Sequence, residues 1–136
     1  MGSGLMRWLL DSNVLIDALA GLPHGVRVLQ EARKRPEVSV IYSTITRIEV
    51  LGFPNLSAKE EESVRRLLNE FEEVALSSAV VERTIQIRKL IRIKIPDALI
   101  AASADTTKAL LITRNTDDFQ RVPGLTELWQ ELGPSF

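Results

Sequence analysis

Four acidic residues, Asp11, Glu49, Asp97 and Asp118, each lie at or beside the end of an apolar segment. Carboxylates from separate elements that converge on one cleft form an all-oxygen donor set, which suits hard cations such as Mg²⁺ or Mn²⁺. Without a cation such a cluster repels itself and raises its own pKa values. A divalent ion held this way activates a water and stabilises charge that develops on a phosphoryl oxygen. The chain contains no cysteine and one histidine, His24. Disulfides, iron–sulfur clusters, thiolate zinc sites and sites of several imidazoles are therefore excluded. His24 lies in a Pro-His-Gly turn, which gives no support to a serine–histidine–acid triad.

Each acid also has an ordinary use. Asp11 stands at a strand–helix junction, where Asp commonly caps a helix. Asp97 follows Pro96 and opens a helix, where an acid complements the helix dipole. Asp117 and Asp118 fall in a polar loop, where acids usually make turns or are solvated. Glu49 flanks the face carrying Ile45, Ile48 and Val50; there it is either an exposed edge residue or a buried acid in need of a partner. The conjunction favours a shared site. Ser12, Asn13, Thr113 and Asn115 are placed to orient carboxylates or bound waters, or to serve as plain turn and cap residues.

The elements that must position these residues follow from periodicity. The run from Leu5 to Leu10, broken only by Arg7, reads as a buried strand ending on Asp11. Val14, Leu15, Ala18 and Leu19 then recur at helical spacing. Gly21, Pro23 and Gly25 break that pattern, and a second helix is expected over 26–35 with Val28, Leu29 and Ala32 inward. Residues 38–42 alternate and are β-branched, as in a strand. Ser43 or Thr44 caps a helix to Leu51, and Ser57 with Glu60 makes a capping box for the next. A short strand over 73–76, a helix from Ser77 or Ser78 to about Ile93, and a helix over 97–106 follow. The last clear strand is 109–113, with a loop or first turn over 114–119. The tail from Val122 to Phe136, with Leu125, Leu128 and Trp129, reads as a helical turn or a short edge strand. Strands alternating with helices predict an α/β fold, a central parallel sheet covered on both faces. In such a sheet ligands gather beyond the carboxyl ends of the strands; if the element ends that carry the four acids share that edge, the acids converge on one cleft.

At 136 residues with 45% hydrophobic and 26% charged residues, one domain over 6–136 is expected. Residues 1–5 read as an added or disordered start, with Met6 a natural initiator. No apolar run approaches the ~20 residues of a membrane helix, and Leu5 to Leu10 is too short for a signal-peptide core, so the cytoplasm is expected. The net charge is −1, so any polyanion must be held by local cations. Arg83, Arg88, Lys89, Arg92 and Lys94 form a stretch without an acid just before Asp97. Arg88 and Arg92 share a helix face and, with Arg114, are candidate phosphate contacts; Arg121 could add to them. A solvated helix face is the alternative.

Four pieces of the chain resemble the PIN-domain ribonucleases, in particular VapC-type toxins of prokaryotic toxin–antitoxin pairs. They are Leu9-Leu10-Asp11-Ser12-Asn13-Val14-Leu15-Ile16-Asp17, Thr46-Arg47-Ile48-Glu49-Val50, Ile95-Pro96-Asp97-Ala98-Leu99-Ile100-Ala101-Ala102 and Ile112-Thr113-Arg114-Asn115-Thr116-Asp117-Asp118-Phe119. Their order and spacing fit the family from about Met6 to Leu125. The resemblance implies a Rossmann-like α/β/α sandwich and Mg²⁺- or Mn²⁺-dependent endonucleolytic cleavage of RNA. It assigns Asp11, Glu49 and Asp97 to the acidic cluster and the fourth position to Asp118, with adjacent Asp117 as the alternative. It also implies a homodimer inhibited by a small antitoxin protein. Ser12 stands where threonine is common in the family.

Other readings make different demands. A receiver-type Mg²⁺-binding signalling module would have paired acids at the first strand and a lysine after the last. A dehalogenase-like phosphatase would have two acids one residue apart after the first strand, where this chain has Asp11-Ser12-Asn13. A standalone PIN nuclease without an antitoxin and a non-catalytic protein-binding domain also remain as alternatives.

Overall fold

A computed structural model of the chain describes residues 6–125. The elements run β1 (Met6–Leu10), α1 (Ser12–Leu19), α2 (Pro23–Lys34), β2 (Val38–Ser43), α3 (Thr44–Leu51) and α4 (Ala58–Leu68). They continue as β3 (Glu72–Val74), α5 (Ser78–Leu90), α6 (Ile95–Thr107), β4 (Leu110–Ile112) and α7 (Thr116–Phe119). Among the described residues the strands form one sheet in the order β3-β2-β1-β4, and every pairing is parallel. The expected α/β architecture with a central parallel sheet is thus present. Tail positions Leu128 and Trp129 lie outside the described residues.

Successive residues of a strand face opposite sides of the sheet, and two cores result. Trp8 and Leu10 of β1, Tyr42 of β2 and Ile112 of β4 pack with Val14, Leu15, Val28 and Leu29 on the α1–α2 side. Leu9, Ile41 and Leu111 face the other way, onto α5 and α6. The middle of α6 is buried, with Ala98, Ile100, Ala101, Ala102, Ser103 and Ala104 inaccessible. Its small side chains admit close packing by both the sheet and α5. This fixes the helix whose first turn carries Asp97.

Chain direction reverses at β1. From it the chain goes to β2 and β3 on one side, and returns to place β4 on the other. The crevice between the carboxyl ends of β1 and β4 is a topological switch point, where open α/β sheets bind ligands. Asp11 donates its backbone N–H to the carbonyl of Ile112 there, at 3.0 Å.

Several boundaries differ from the expectation, two of them for a visible physical reason. Helix α2 begins at Pro23, which occupies the first turn, where a missing N–H costs nothing. Gly25 is not a breaker but a contact point: a Cβ there would lie 2.3 Å from the backbone nitrogen of Ala18. Helix α5 stops at Leu90, and Ile91 is extended. Ile93 turns into the core while Arg92 and Lys94 point to solvent, an alternation that a helical reading of these isoleucines misses. On α5 the buried positions are Val80, Thr84 and Ile87, whereas Val81, Ile85 and Leu90 are exposed. The capping box of Ser57 and Glu60 on α4 forms as expected. No helix among the described residues is long and apolar enough to cross a membrane.

Candidate active site

Asp11 ends β1 and serves as the N-cap residue of α1, but its side chain makes no capping hydrogen bond. It is instead buried, with 4% of its surface exposed, and its Oδ2 accepts a 2.8 Å hydrogen bond from the hydroxyl of Thr113 at the end of β4. Burial, reinforced by the charges of Asp97 and Glu49, pushes its pKa up to about 6, against the opposing pull of Thr113 and of the Ser12 backbone. The capping use of Asp11 is thereby set aside. A carboxylate kept from water is costly to ionise.

Glu49 comes from α3. Ser43 caps that helix through the backbone N–H of Ile45, which fixes its start at the carboxyl end of β2. One turn and more later, the Oε1 of Glu49 accepts a 2.5 Å hydrogen bond from the hydroxyl of Ser12. Ser12 also shares a 2.8 Å hydrogen bond with Thr46. Thr46 is fully buried and had not been singled out from the sequence. Its signal was its spacing: it lies three residues before Glu49, on the same helix face.

Asp97 is raised above the usual carboxylate range by burial first, then by the charges of Asp118 and Glu49, with Lys94 acting in the opposite sense. It therefore feels acids from two different elements and stands electrically between them. Asp118, on α7, accepts a 2.9 Å hydrogen bond from the side-chain amide of Asn115 and lies 3.4 Å from the guanidinium of Arg121. The neighbouring Asp117 is exposed. Asn115 is itself held by its backbone N–H, which donates to the Thr113 hydroxyl at 3.0 Å.

The four acids thus share one end of the sheet, and Asp11, Glu49 and Asp118 are each bonded to a polar neighbour. Among the described residues no three acidic or imidazole side chains converge tightly enough to hold an ion as they stand. The donor chemistry fits a hard cation, being entirely oxygen. Mutual repulsion at Asp11 and Asp97 is the penalty that such a cation would remove.

A family model for the PIN domain matches residues 8–125. The chain belongs to the PIN-domain family. Over 87% of its length it is 33% identical to a chain of a toxin–antitoxin complex from Klebsiella pneumoniae, with a TM-score of 0.73 and 94% of that chain covered. Its fold is also similar to chains of a DNA-bound VapBC from Salmonella typhimurium (TM-score 0.75, 21% identity, covering 90% of this chain and 97% of that one). A third likeness is to VapBC2 from Rickettsia felis bound to a promoter DNA fragment (TM-score 0.73, 23% identity, 90% and 97% covered). Among curated proteins none matches at a significant level.

Around the acids of this PIN domain the remaining expected residues separate into two groups. Arg88 and Arg92 line a cavity with Lys94, Arg121, Asp97 and Asp118. Arg114 lies elsewhere: its Nη1 is 2.7 Å from Nε2 of His24 and 3.6 Å from the carboxylate of Asp17. Asn13 is exposed on the first turn of α1, and no hydrogen bond ties it to an acid among the described residues.

Proposed function

We propose that this PIN domain is a VapC-type toxin, a divalent-metal-dependent endoribonuclease of a type II toxin–antitoxin pair that acts in the cytoplasm. The observation that carries the reading is Asp11: a buried carboxyl at the switch point, raised to about 6 by burial and by its acidic neighbours. A buried carboxyl in a cleft, perturbed by burial and by neighbouring acids, marks a candidate functional site.

Asp11 and Asp97 would hold Mg²⁺ or Mn²⁺, joined by Glu49 and, once Arg121 leaves it, by Asp118. When bound, the ion supplies an activated water and neutralises charge on the phosphoryl oxygens. The chain's own residues do the positioning. Thr113 orients Asp11, Ser12 orients Glu49, and Asn115 orients Asp118, so each acid but Asp97 is steered by a neighbouring polar side chain. Asp97 is steered by the first turn of α6, whose Pro96 presets the backbone.

The antitoxin reading rests on the likeness to chains of toxin–antitoxin complexes. An apolar groove lined by Ile16, Leu19, Val50, Phe53, Leu56 and Val64 would take an apolar face of that small protein. Exposed Ile48, Ile85, Leu90 and Ile95 would serve a homodimer.

The test is cleavage of a panel of single-stranded and structured RNAs with Mg²⁺ or Mn²⁺. Cutting that is abolished both by EDTA and by Asp97→Asn is the expected result. An Asp97→Asn protein that cuts as well as the unaltered chain would overturn the assignment of the site.

A further inference from the structure

The acids of the site are dressed unequally. Asp11 and Glu49 are met by hydroxyls, those of Thr113 and Ser12. Asp97 and Asp118 are met by cations: Lys94 acts on Asp97, and Arg121 lies 3.4 Å from Asp118. These two acids line one cavity with Arg88, Arg92, Lys94 and Arg121. Four cations against two carboxylates make this corner positive in a chain whose net charge is −1.

Two of these cations, Arg88 and Arg121, are held by backbone carbonyls between α5 and α6. Arg88 donates its Nε to the carbonyl of Ile93 at 3.2 Å, which leaves its two terminal nitrogens for a ligand. Arg121 donates to the carbonyl of Arg92 at 3.0 Å. Its contact with Asp118 is long, and the same Nη2 serves both acceptors. By contrast Arg83, in the same basic stretch, is spent on Asp105 at 2.5 Å and on the carbonyl of Pro123. Arg47, toward the Glu49 side, is spent on Glu73 at 2.8 Å. Cations with donors to spare therefore border the acids on one side, the side of Asp97 and Asp118.

We propose that this cavity is a phosphate subsite that takes a backbone phosphate of single-stranded RNA adjacent to the one being cleaved, on Arg88, Arg92, Lys94 and Arg121. The proposal rests on the nuclease reading and deepens it by giving the substrate a fixed side of approach. Planar guanidinium groups match phosphate oxygens two at a time. Asp97 and Asp118 in the same lining repel a free anion, so the subsite favours phosphate delivered as part of a strand over inorganic phosphate. Arg121 has the further task of leaving Asp118 for that phosphate, which links strand arrival to release of the fourth acid.

The test uses a 2′-O-methyl oligoribonucleotide of mixed sequence, resistant to cleavage, whose binding is followed by fluorescence anisotropy from 50 to 300 mM KCl. For a single strand the slope of log affinity against log salt falls by about 0.7 for each phosphate contact removed. Arg92→Gln and Lys94→Gln, both on exposed side chains, are expected to weaken binding severalfold and to reduce the slope by about that amount each. Arg65→Gln, on α4 and paired with Glu61, is expected to change neither. Unchanged slopes in Arg92→Gln and Lys94→Gln, an equal drop in Arg65→Gln, or no binding by the unaltered chain would each overturn the subsite. RNA cutting together with unchanged slopes removes the subsite and leaves the nuclease. Slopes that respond in a protein that cuts no RNA with either metal remove the nuclease reading and leave a binding site.

Discussion

The hydroxyl of Thr113, at the end of β4, donates a 2.8 Å hydrogen bond to the carboxylate of Asp11, which closes β1 at a sequence separation of 102. The same oxygen accepts the backbone N–H of Asn115 at 3.0 Å, and Asn115 in turn holds Asp118. One buried hydroxyl therefore couples the most buried acid of the site to the segment carrying the fourth. Since Thr113 is inaccessible to solvent, water cannot replace it in either role.

Thr113→Val keeps the shape and removes both hydrogen bonds. An unpaired buried polar group costs roughly 1–3 kcal/mol, so a loss of stability in that range is expected by urea denaturation. Metal-dependent RNA cleavage should fall at least tenfold, since Asp11 and Asp118 lose their common tether, and Thr113→Ser should restore most of it. Equal cleavage by the Val and Ser variants would show that the tether has no part in the activity.

Asp11 makes the metal-free chain sensitive to pH in a direction opposite to that of an ordinary ion-paired acid. Its folded pKa is raised from 3.8 to about 6, so between those values the folded state binds more protons than the unfolded state. Stability then falls as pH rises through this window, and the full penalty, about 3 kcal/mol by the size of the shift, is present above it. The raised Asp97 acts in the same sense. In EDTA, Asp11→Asn is expected to be more stable than the unaltered chain at pH 7.5 and to lose that advantage near pH 4. A stability difference that is the same at both pH values would contradict the assignment. Mg²⁺ should raise the melting temperature of the unaltered chain at pH 7.5 and not that of Asp11→Asn.

Local signals made most of the fold legible. The apolar run of β1, the Ser57–Glu60 capping box and the alternation of β2 depend on residues near one another, and each element appears where those signals put it. Boundaries decided by distant contacts were not legible. Gly25 looks like a breaker until the backbone of Ala18 is seen against it. Ile91 and Ile93 look helical until Ile93 is seen in the core. For the site the same division holds. The acids could be named because each stands at an element end, whereas the dressing of Glu49 by Ser12, across 37 positions, and of Asp118 by Arg121 depends on how helices and loops come together. Thr46 is not legible as a site residue because its partner Ser12 is 34 positions away.

Gly25→Ala tests the contact that sets α2 against α1. A methyl group 2.3 Å from the nitrogen of Ala18, with the Ala18 Cα and the Asp17 carbonyl carbon both at 2.8 Å, has only backbone to push on. Overpacking of this kind costs about 1–3 kcal/mol and occasionally more, so a fall in melting temperature of several degrees is expected. Unchanged stability would mean that the two helices are free to separate.

Arg114 and Arg92 were equivalent candidates for phosphate in the sequence, and their surroundings now distinguish them. The Arg114 guanidinium lies against Nε2 of His24 and against Asp17, whose side chain is only 18% exposed. That pairing ties the segment after β4 to α1 and α2. Arginine can only donate, so Nε2 of His24 is the acceptor in that contact. Arg114→Gln is therefore expected to cost about 0.5–1 kcal/mol of stability, the range of a partly exposed ion pair. In the anisotropy assay it should leave the salt slope at the value of the unaltered chain, in contrast to Arg92→Gln. A slope reduced as much by Arg114→Gln as by Arg92→Gln would return Arg114 to the phosphate path and place the strand across both sides of the acids.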